Sequence, residues 1–271
     1  MNILDLFSGI GGFSLGFESA NFKDYDFTKL PSEQKSKNDG FFKTLAFCEC
    51  DKACQAVLKK HFKNTPIFDD VTKITAKELK ELGRIDVITG GFPCQDLSLA
   101  GRRVGINGSR SGLFSEILRI ASETKPKYII FENTPELIRN KRYFSIFAEE
   151  LGLCGYDYRA FLLRASDYGY MHERKRAFII AYTDKIGRLN DDEIFGFVSD
   201  ENTHKSHETI MDLCREYAKW QRRGYYNANH LPDIRNANGL SCGVERVGML
   251  GNSVVPEIVA RFARFIKRIE R

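Results

Sequence analysis

Asp5-Leu6-Phe7-Ser8-Gly9-Ile10-Gly11-Gly12 follows an apolar strand-forming run, residues 3–7, and opens a stretch in which Phe13, Phe17 and Ala20 fall near helical spacing. Such a strand–glycine turn–helix unit presses backbone N–H groups and a helix N-terminus against a ligand, or simply packs a helix closely on a strand. On its own the glycine pattern does not separate these two readings. The rest of the chain repeats the alternation. A second strand at residues 44–49 is followed by Asp51 as a helix cap and by Cys54, Val57, Leu58 and Phe62 on one helical face. Thr75 with Glu78 forms a capping box ahead of the strand at residues 85–89. Leu113, Ile117 and Ile120 mark a helix, residues 128–132 a strand, and residues 143–151 a helix stopped at Gly152. Runs 156–163 and 177–182 leave no room for a crossover helix and pair antiparallel at a sheet edge. The expected fold is α/β, a Rossmann-like, mostly parallel sheet with helices on both faces.

The most chemically loaded segment is Gly90-Gly91-Phe92-Pro93-Cys94-Gln95, which ends the strand at residues 85–89. Two glycines allow close backbone approach and Pro93 stiffens the mount, so Cys94 is presented as a reactive thiol. Phe131-Glu132-Asn133 ends the next apolar run and brings a carboxyl group to the same sheet edge. Cysteine beside a carboxylic acid combines a nucleophile with a proton donor. Glu49, ending the second strand, stands where an acid commonly binds ribose hydroxyls, although the usual spacing is exceeded by a polar insertion at residues 22–42. Asp70 follows Ile67-Phe68, at the end of a third strand, where it is placed to accept from an adenine amino group.

The chain has 271 residues, 42% of them hydrophobic, and 41 Lys and Arg against 36 Asp and Glu. That length supports a substantial core, while the small basic surplus leaves the partner open. Seven cysteines at positions 48, 50, 54, 94, 154, 214 and 242 lack paired CxxC spacing, and the chain opens on an apolar strand rather than a leader, so a cytoplasmic location is expected. Its longest apolar run, residues 177–182, is far short of the roughly 18 residues that cross a bilayer, so no membrane association is expected. Cys48, Cys50 and Cys54 are expected to be buried structural thiols, with no metal.

Residues 98–111, with three glycines and no periodicity, form a long loop after Cys94. From residue 184 to about 246 the composition turns polar, with Trp220, Arg222, Arg223, Tyr225 and Arg235, and the alternation is lost. Residues 251–269 return to an apolar helix. The expected organisation is a catalytic and cofactor-binding domain at 1–183 carrying the insertion at 22–42. A small lobe at 184–246 and a segment at 247–271 that rejoins the domain complete it.

In this order, DLFSGIGGF from Asp5, ECD from Glu49, DDV from Asp69, GGFPCQDLSLAG from Gly90, FENT from Phe131, ASDYGYMHERKRAFII from Ala165 and GNSVVP from Gly251 resemble the cytosine-C5 DNA methyltransferases. The resemblance covers nearly the whole chain outside the insertion and the polar lobe. It implies S-adenosylmethionine as cofactor and a reaction in which a thiolate adds to cytosine C6, a methyl group is transferred to C5, and loss of the C5 proton expels the thiolate. It casts Cys94 as nucleophile, Glu132 as the acid at N3, and Arg174 and Arg176 as the supporting arginine pair, with Arg176 at the cytosine O2. It places Phe7, Gly9, Ile10, Gly11, Gly12, Glu49, Cys50, Asp70, Val71, Pro93, Leu113, Asn252 and Ser253 around the cofactor.

A target cytosine inside duplex DNA must be flipped out at a cost of a few kcal/mol. The resemblance implies that Ser98, Arg102 and Arg103 contact the backbone of double-stranded DNA. Base readout is expected from Trp220, Arg222, Arg223 and Arg235, in the lobe that serves as target-recognition domain. A monomer of restriction-modification type is expected, with a cognate endonuclease acting on the same site. The family pattern has valine where Thr134 stands and glutamine where His172 stands, which bears on positioning and not on the reacting groups. The rival readings are an RNA cytosine-C5 methyltransferase of the same fold and a non-catalytic DNA-binding regulator.

Overall fold

A computed structural model describes residues 1–27, 34–92, 112–168, 170, 173–183 and 254–271. Its strands are β1 (Asn2–Leu6), β2 (Lys43–Cys48), β3 (Ile67–Phe68), β4 (Val87–Gly90), β5 (Tyr128–Asn133), β6 (Asp157–Arg164) and β7 (Lys175–Tyr182). The helices are α1 (Gly12–Ser19), α2 (Lys52–His61), α3 (Ala76–Leu82), α4 (Leu113–Thr124), α5 (Glu136–Arg139), α6 (Lys141–Leu153) and α7 (Pro256–Glu270). The strands form one sheet in the order β3-β2-β1-β4-β5-β7-β6. The first five run parallel, and β7 enters antiparallel between β5 and β6.

Period-two alternation divides the strand side chains between two cores. Leu4, Leu6, Ile88, Ile129 and Phe131 face α3, α4 and α6, while Ile3, Val87 and Ile130 face α1 and α7. On the first face Phe92, Phe114, Phe131 and Phe147 pack ring against ring, with Phe114 and Phe147 centroids 4.8 Å apart. The sheet with helices on both faces is the architecture expected of an S-adenosylmethionine-dependent methyltransferase.

On the second face α7 crosses α1 with no spare room. A Cβ on Gly16 meets Val259 Cβ at 2.5 Å and the Pro256 carbonyl at 2.6 Å, and one on Gly12 meets Val254 at 2.7 Å. Gly16→Ala is therefore expected to destabilise the fold by about 1–3 kcal/mol through overpacking, read as a lowered urea midpoint with unchanged m. An unaltered midpoint would mean that the two helices separate freely.

Element ends agree with the sequence reading to within about a residue in most strands, and both predicted caps form. Asp51 Oδ1 accepts from the Ala53 and Cys54 amides at 2.7 and 3.2 Å, and Thr75 and Glu78 make the reciprocal capping box. One helix end differs. Helix α6 continues through Gly152 to Leu153, and the chain turns at Gly155, whose φ of 82° is the left-handed conformation that glycine adopts without strain. Cys48 and Cys54 are buried, but Cys50 is exposed, contrary to expectation, because the turn after β2 directs it outward.

The described part of the insertion is anchored rather than loosely draped. Phe22 and Phe42 are buried, and Phe42 packs edge-on against Phe17 of α1. Asp39 pairs with Lys267 at 2.7 Å and with Arg271, and both cations lie over the Phe41 ring. The polar lobe at 184–246, with Trp220, Arg222, Arg223 and Arg235, lies outside the described residues, as do Ser98, Arg102 and Arg103. Among the described residues no helix is long and apolar enough to cross a membrane, and no group of three or more His, Cys, Asp or Glu side chains is arranged to hold a metal ion.

Candidate active site

Register brings the functional segments to one edge. Leu6 pairs with both Cys48 and Gly90, and Gly90 pairs with Phe131, so the residues that follow β1, β2, β4 and β5 emerge side by side. Because β7 runs the opposite way, with Ala177 opposite Asn133, its start joins them and delivers Arg174 and Arg176.

The turn after β1 is shaped for close approach by a ligand. Phe7 has φ 53°, uncommon for a residue with a side chain, and Gly9 and Gly11 have φ 54° and 87°. Ser8 fixes the bend by donating from its hydroxyl to the Asp5 carbonyl at 2.6 Å and from its amide to the Cys48 carbonyl at 3.1 Å. Glu49 Oε2 accepts from the Gly9 amide at 2.7 Å while Oε1 accepts from the Asp51 amide at 2.8 Å, which holds the carboxylate over the turn. The Cβ position of Gly9 faces open space, whereas that of Gly11 is met by Phe62 and Leu58. An open cradle beside a fixed carboxylate fits the ribose of S-adenosylmethionine.

The other predicted cofactor residues divide. Asp70 lies beyond β3 as expected, with its carboxylate engaged by its own turn, accepting from the Thr72 amide and hydroxyl at 3.0 and 2.7 Å. Val71 is buried, and its carbonyl accepts from Arg119 of α4 at 3.1 Å. Leu113 begins α4 half-buried against the core. Cys50 and Ile10 lie in the turns after β2 and β1. Pro93, Cys94, Asn252 and Ser253 lie outside the described residues.

Beneath the turn is a residue that the sequence reading named only as part of a motif. Asp5 is fully buried; it accepts from the Ser14 hydroxyl at 2.7 Å, the Ser14 amide at 3.3 Å and the Thr89 hydroxyl at 2.8 Å. It thereby ties β1 to the first turn of α1 and to β4. Burial without a cationic partner pushes its carboxyl up to about 7, against these hydrogen bonds. The folded chain thus holds a proton that the unfolded chain releases near pH 4. The Asp5 contribution to stability is fullest below about pH 4 and declines as pH rises to about 7, by about 4 kcal/mol at most. Urea titrations at about pH 5 and about pH 8 are expected to show a larger loss for the parent chain than for Asp5→Asn. Equal losses would remove Asp5 as the source.

Glu132 is the penultimate residue of β5 and is 8% exposed. Arg176 Nε lies 3.0 Å and Arg174 Nη2 3.8 Å from its Oε1, yet this oxygen accepts no well-directed hydrogen bond among the described residues. The contact is an ion pair with its hydrogen-bonding capacity still open. Burial raises the Glu132 carboxyl above the ordinary range, and the two guanidinium groups oppose the rise. Burial and the neighbouring Arg176 also lower Arg174.

The turn that leads to Cys94 rests on this pair of residues. A Cβ on Gly91 would lie 3.3 Å from Glu132 Oε2, and Asn133 Nδ2 donates to the Phe92 carbonyl at 2.9 Å. Gly91 and Phe92 precede Pro93-Cys94 directly. Asn133 was read only as part of a motif; no spacing rule foretells that its amide would pin the backbone two residues before the cysteine. Gly91→Ala forces the turn or the carboxyl to move by a few tenths of an ångström, so a fall in kcat of about tenfold or more is expected. An unchanged kcat would show that the contact yields without consequence.

The model of the C-5 cytosine-specific DNA methylases matches residues 1–242, and the chain belongs to that family. It is 33% identical over 178 residues to the type II methyltransferase M.CviJI of Paramecium bursaria Chlorella virus IL3A, covering 66% of this chain and 42% of that protein. It is 31% identical over 215 residues to M.FnuDI of Fusobacterium nucleatum, covering 79% and 56%. Among solved structures it resembles a putative DNA modification methyltransferase of an Escherichia coli prophage. The TM-score is 0.54 and the identity 28%, over 72% of this chain and 50% of that one. The chain spans about half the length of these relatives.

Proposed function

We propose that the chain methylates C5 of a flipped-out cytosine in a short double-stranded DNA sequence. The observation that carries this reading is the Glu132 carboxyl, buried, held by Arg176 at 3.0 Å and in contact with the turn that leads to Cys94. S-adenosylmethionine supplies the electrophilic methyl group, and the Gly9 cradle and Glu49 would hold it.

Cytosine is a poor nucleophile at C5. Addition of the Cys94 thiolate to C6 breaks the C5–C6 double bond and drives electrons toward N3, where the raised carboxyl of Glu132 donates or shares its proton. Arg174 and Arg176 hold that carboxyl in place, and their charge favours the electron-rich ring. The enamine so formed is nucleophilic at C5. C5 would take the methyl group from the sulfonium of S-adenosylmethionine, which leaves as the neutral thioether; a base then takes the C5 proton, the double bond re-forms as the Cys94 thiolate departs, and N3 returns its proton to the Glu132 carboxylate. The thiolate must be available near neutral pH although a free thiol titrates near about 8.5, and the arginine charges assist that ionisation.

Base readout is assigned to the lobe at 184–246, and a target of few base pairs suits its size. Bisulfite sequencing of mixed-sequence duplex DNA after incubation with protein and S-adenosylmethionine tests the reading. Cytosines protected in one recurring context are the expected result. Protection on RNA alone would replace DNA as substrate, and cofactor binding with no protection on either would favour a regulator.

A further inference from the structure

The contact between Tyr170 and Glu257 has no part in the chemistry above. The Tyr170 hydroxyl donates to Glu257 Oε2, a hydrogen bond between residues 87 apart in sequence. Each partner is seated on a different part of the candidate site. On one side, the Tyr170 amide donates to the Ala165 carbonyl at 3.2 Å, and the Ala165 amide donates to the Arg174 carbonyl at 2.9 Å. Ala165 is thus a backbone junction between Tyr170 and the arginine that faces Glu132. On the other side, Glu257 occupies the first turn of α7, three residues after Val254. Val254 fills the space over Gly12, and the Pro256 carbonyl fills the space over Gly16. The first turn of α7 is therefore pressed onto α1, the helix that the glycine turn opens.

Only one element of this path is a directed bond between long side chains, and it is the Tyr170–Glu257 bond. Burial favours the neutral form of both groups, the tyrosine hydrogen bond opposes that rise for the carboxyl, and negative charge on Glu257 disfavours ionisation of Tyr170 and of Tyr25. The phenol remains a donor throughout the neutral range.

We propose that Tyr170 and Glu257 are positioning residues that transmit seating of α7 on the cofactor turn to the backbone of Arg174, and so to the arginine pair on Glu132. This rests on the reading of the Gly9 cradle as the S-adenosylmethionine site. Cofactor bound there and the arginines at Glu132 then favour one another, with a coupling in the range of about fivefold or more.

Hydrogen exchange on the full chain, with and without S-adenosylmethionine, tests it in the parent, Tyr170→Phe and Glu257→Leu. In the parent the cofactor is expected to slow exchange at residues 2–20 and, about fivefold or more, at residues 173–183. In both variants protection at residues 2–20 should persist while protection at 173–183 is lost, and kcat should fall about tenfold with KM for the cofactor within about twofold. A staple that only stabilises the fold would lower the melting temperature and leave the cofactor-dependent protection intact, and that result overturns the proposal. So does a parent chain in which the cofactor protects residues 2–20 alone. Glu257→Leu removes the acceptor while leaving the Tyr170 ring in place, so it serves if Tyr170→Phe does not fold. Cofactor-induced protection without methylation of any DNA would defeat the proposed function and leave the coupling standing, whereas absence of any cofactor effect defeats both.

Discussion

Glu132→Gln is expected to lower kcat by about 10²–10⁴-fold on DNA while leaving affinity for S-adenosylmethionine near that of the parent. The amide fills the same volume and can still donate a hydrogen bond to N3, but it cannot pass a proton to it. A second effect competes with this one. The carboxylate is the counter-charge nearest to Arg174 and Arg176, which lie 3.8 and 3.0 Å away in a mostly buried setting. Removing one member of such a group typically costs about 3–5 kcal/mol, enough to unfold part of the population. The two are separated by measuring single-turnover rates against the concentration of cofactor-binding sites, so that only folded protein is counted. A rate per folded site within a few-fold of the parent would remove Glu132 from proton transfer and leave it a structural partner of the arginines.

Cys94→Ala is expected to abolish turnover, and Cys94→Ser to leave no more than a trace, with cofactor binding retained in both. A hydroxyl at this position is far less ionised than a thiol near neutral pH, and the ring needs an anionic nucleophile before C5 will react. Covalent capture gives a direct test. On duplex DNA carrying a fluorine at C5 of the target cytosine, the last step cannot release a proton, so the enzyme should remain attached. The adduct is expected as a band resistant to denaturation in the parent and absent in both variants. Methylation by Cys94→Ala would exclude this thiol as the nucleophile.

The sequence reading reached the fold because the signals are local. Alternating apolar residues set the two faces, and the missing crossover between the runs at 156–163 and 177–182 announced the hairpin that becomes β6 and β7. It misjudged the end of α6 because Gly152 resembles a stop, yet a glycine is tolerated in a helix at a cost of about 1 kcal/mol and Gly155 makes the turn instead. At the site, Glu132, Arg174 and Arg176 were legible through their motifs and come together in space. The residues that hold the site in shape were not. Asp5 reaches Thr89 across 84 positions, Arg119 reaches the Val71 carbonyl across 48 and Tyr170 reaches Glu257 across 87. Each depends on which elements the topology makes neighbours, and no spacing within one element carries that information.

The reversed direction of β7 bears on how the chain acquires its reactivity. As synthesis proceeds, the strands from β1 to β5 are made first, and with them the glycine cradle and the acid. The arginines arrive later, and they reach the acid only when the hairpin of β6 and β7 has closed and docked along β5. Until then Glu132 lacks both positive neighbours and also the strand beside it, since Phe178 of β7 is its register partner. The ion pair at Glu132 is thus a product of antiparallel pairing, and a chain whose β6–β7 hairpin has not docked on β5 cannot hold it.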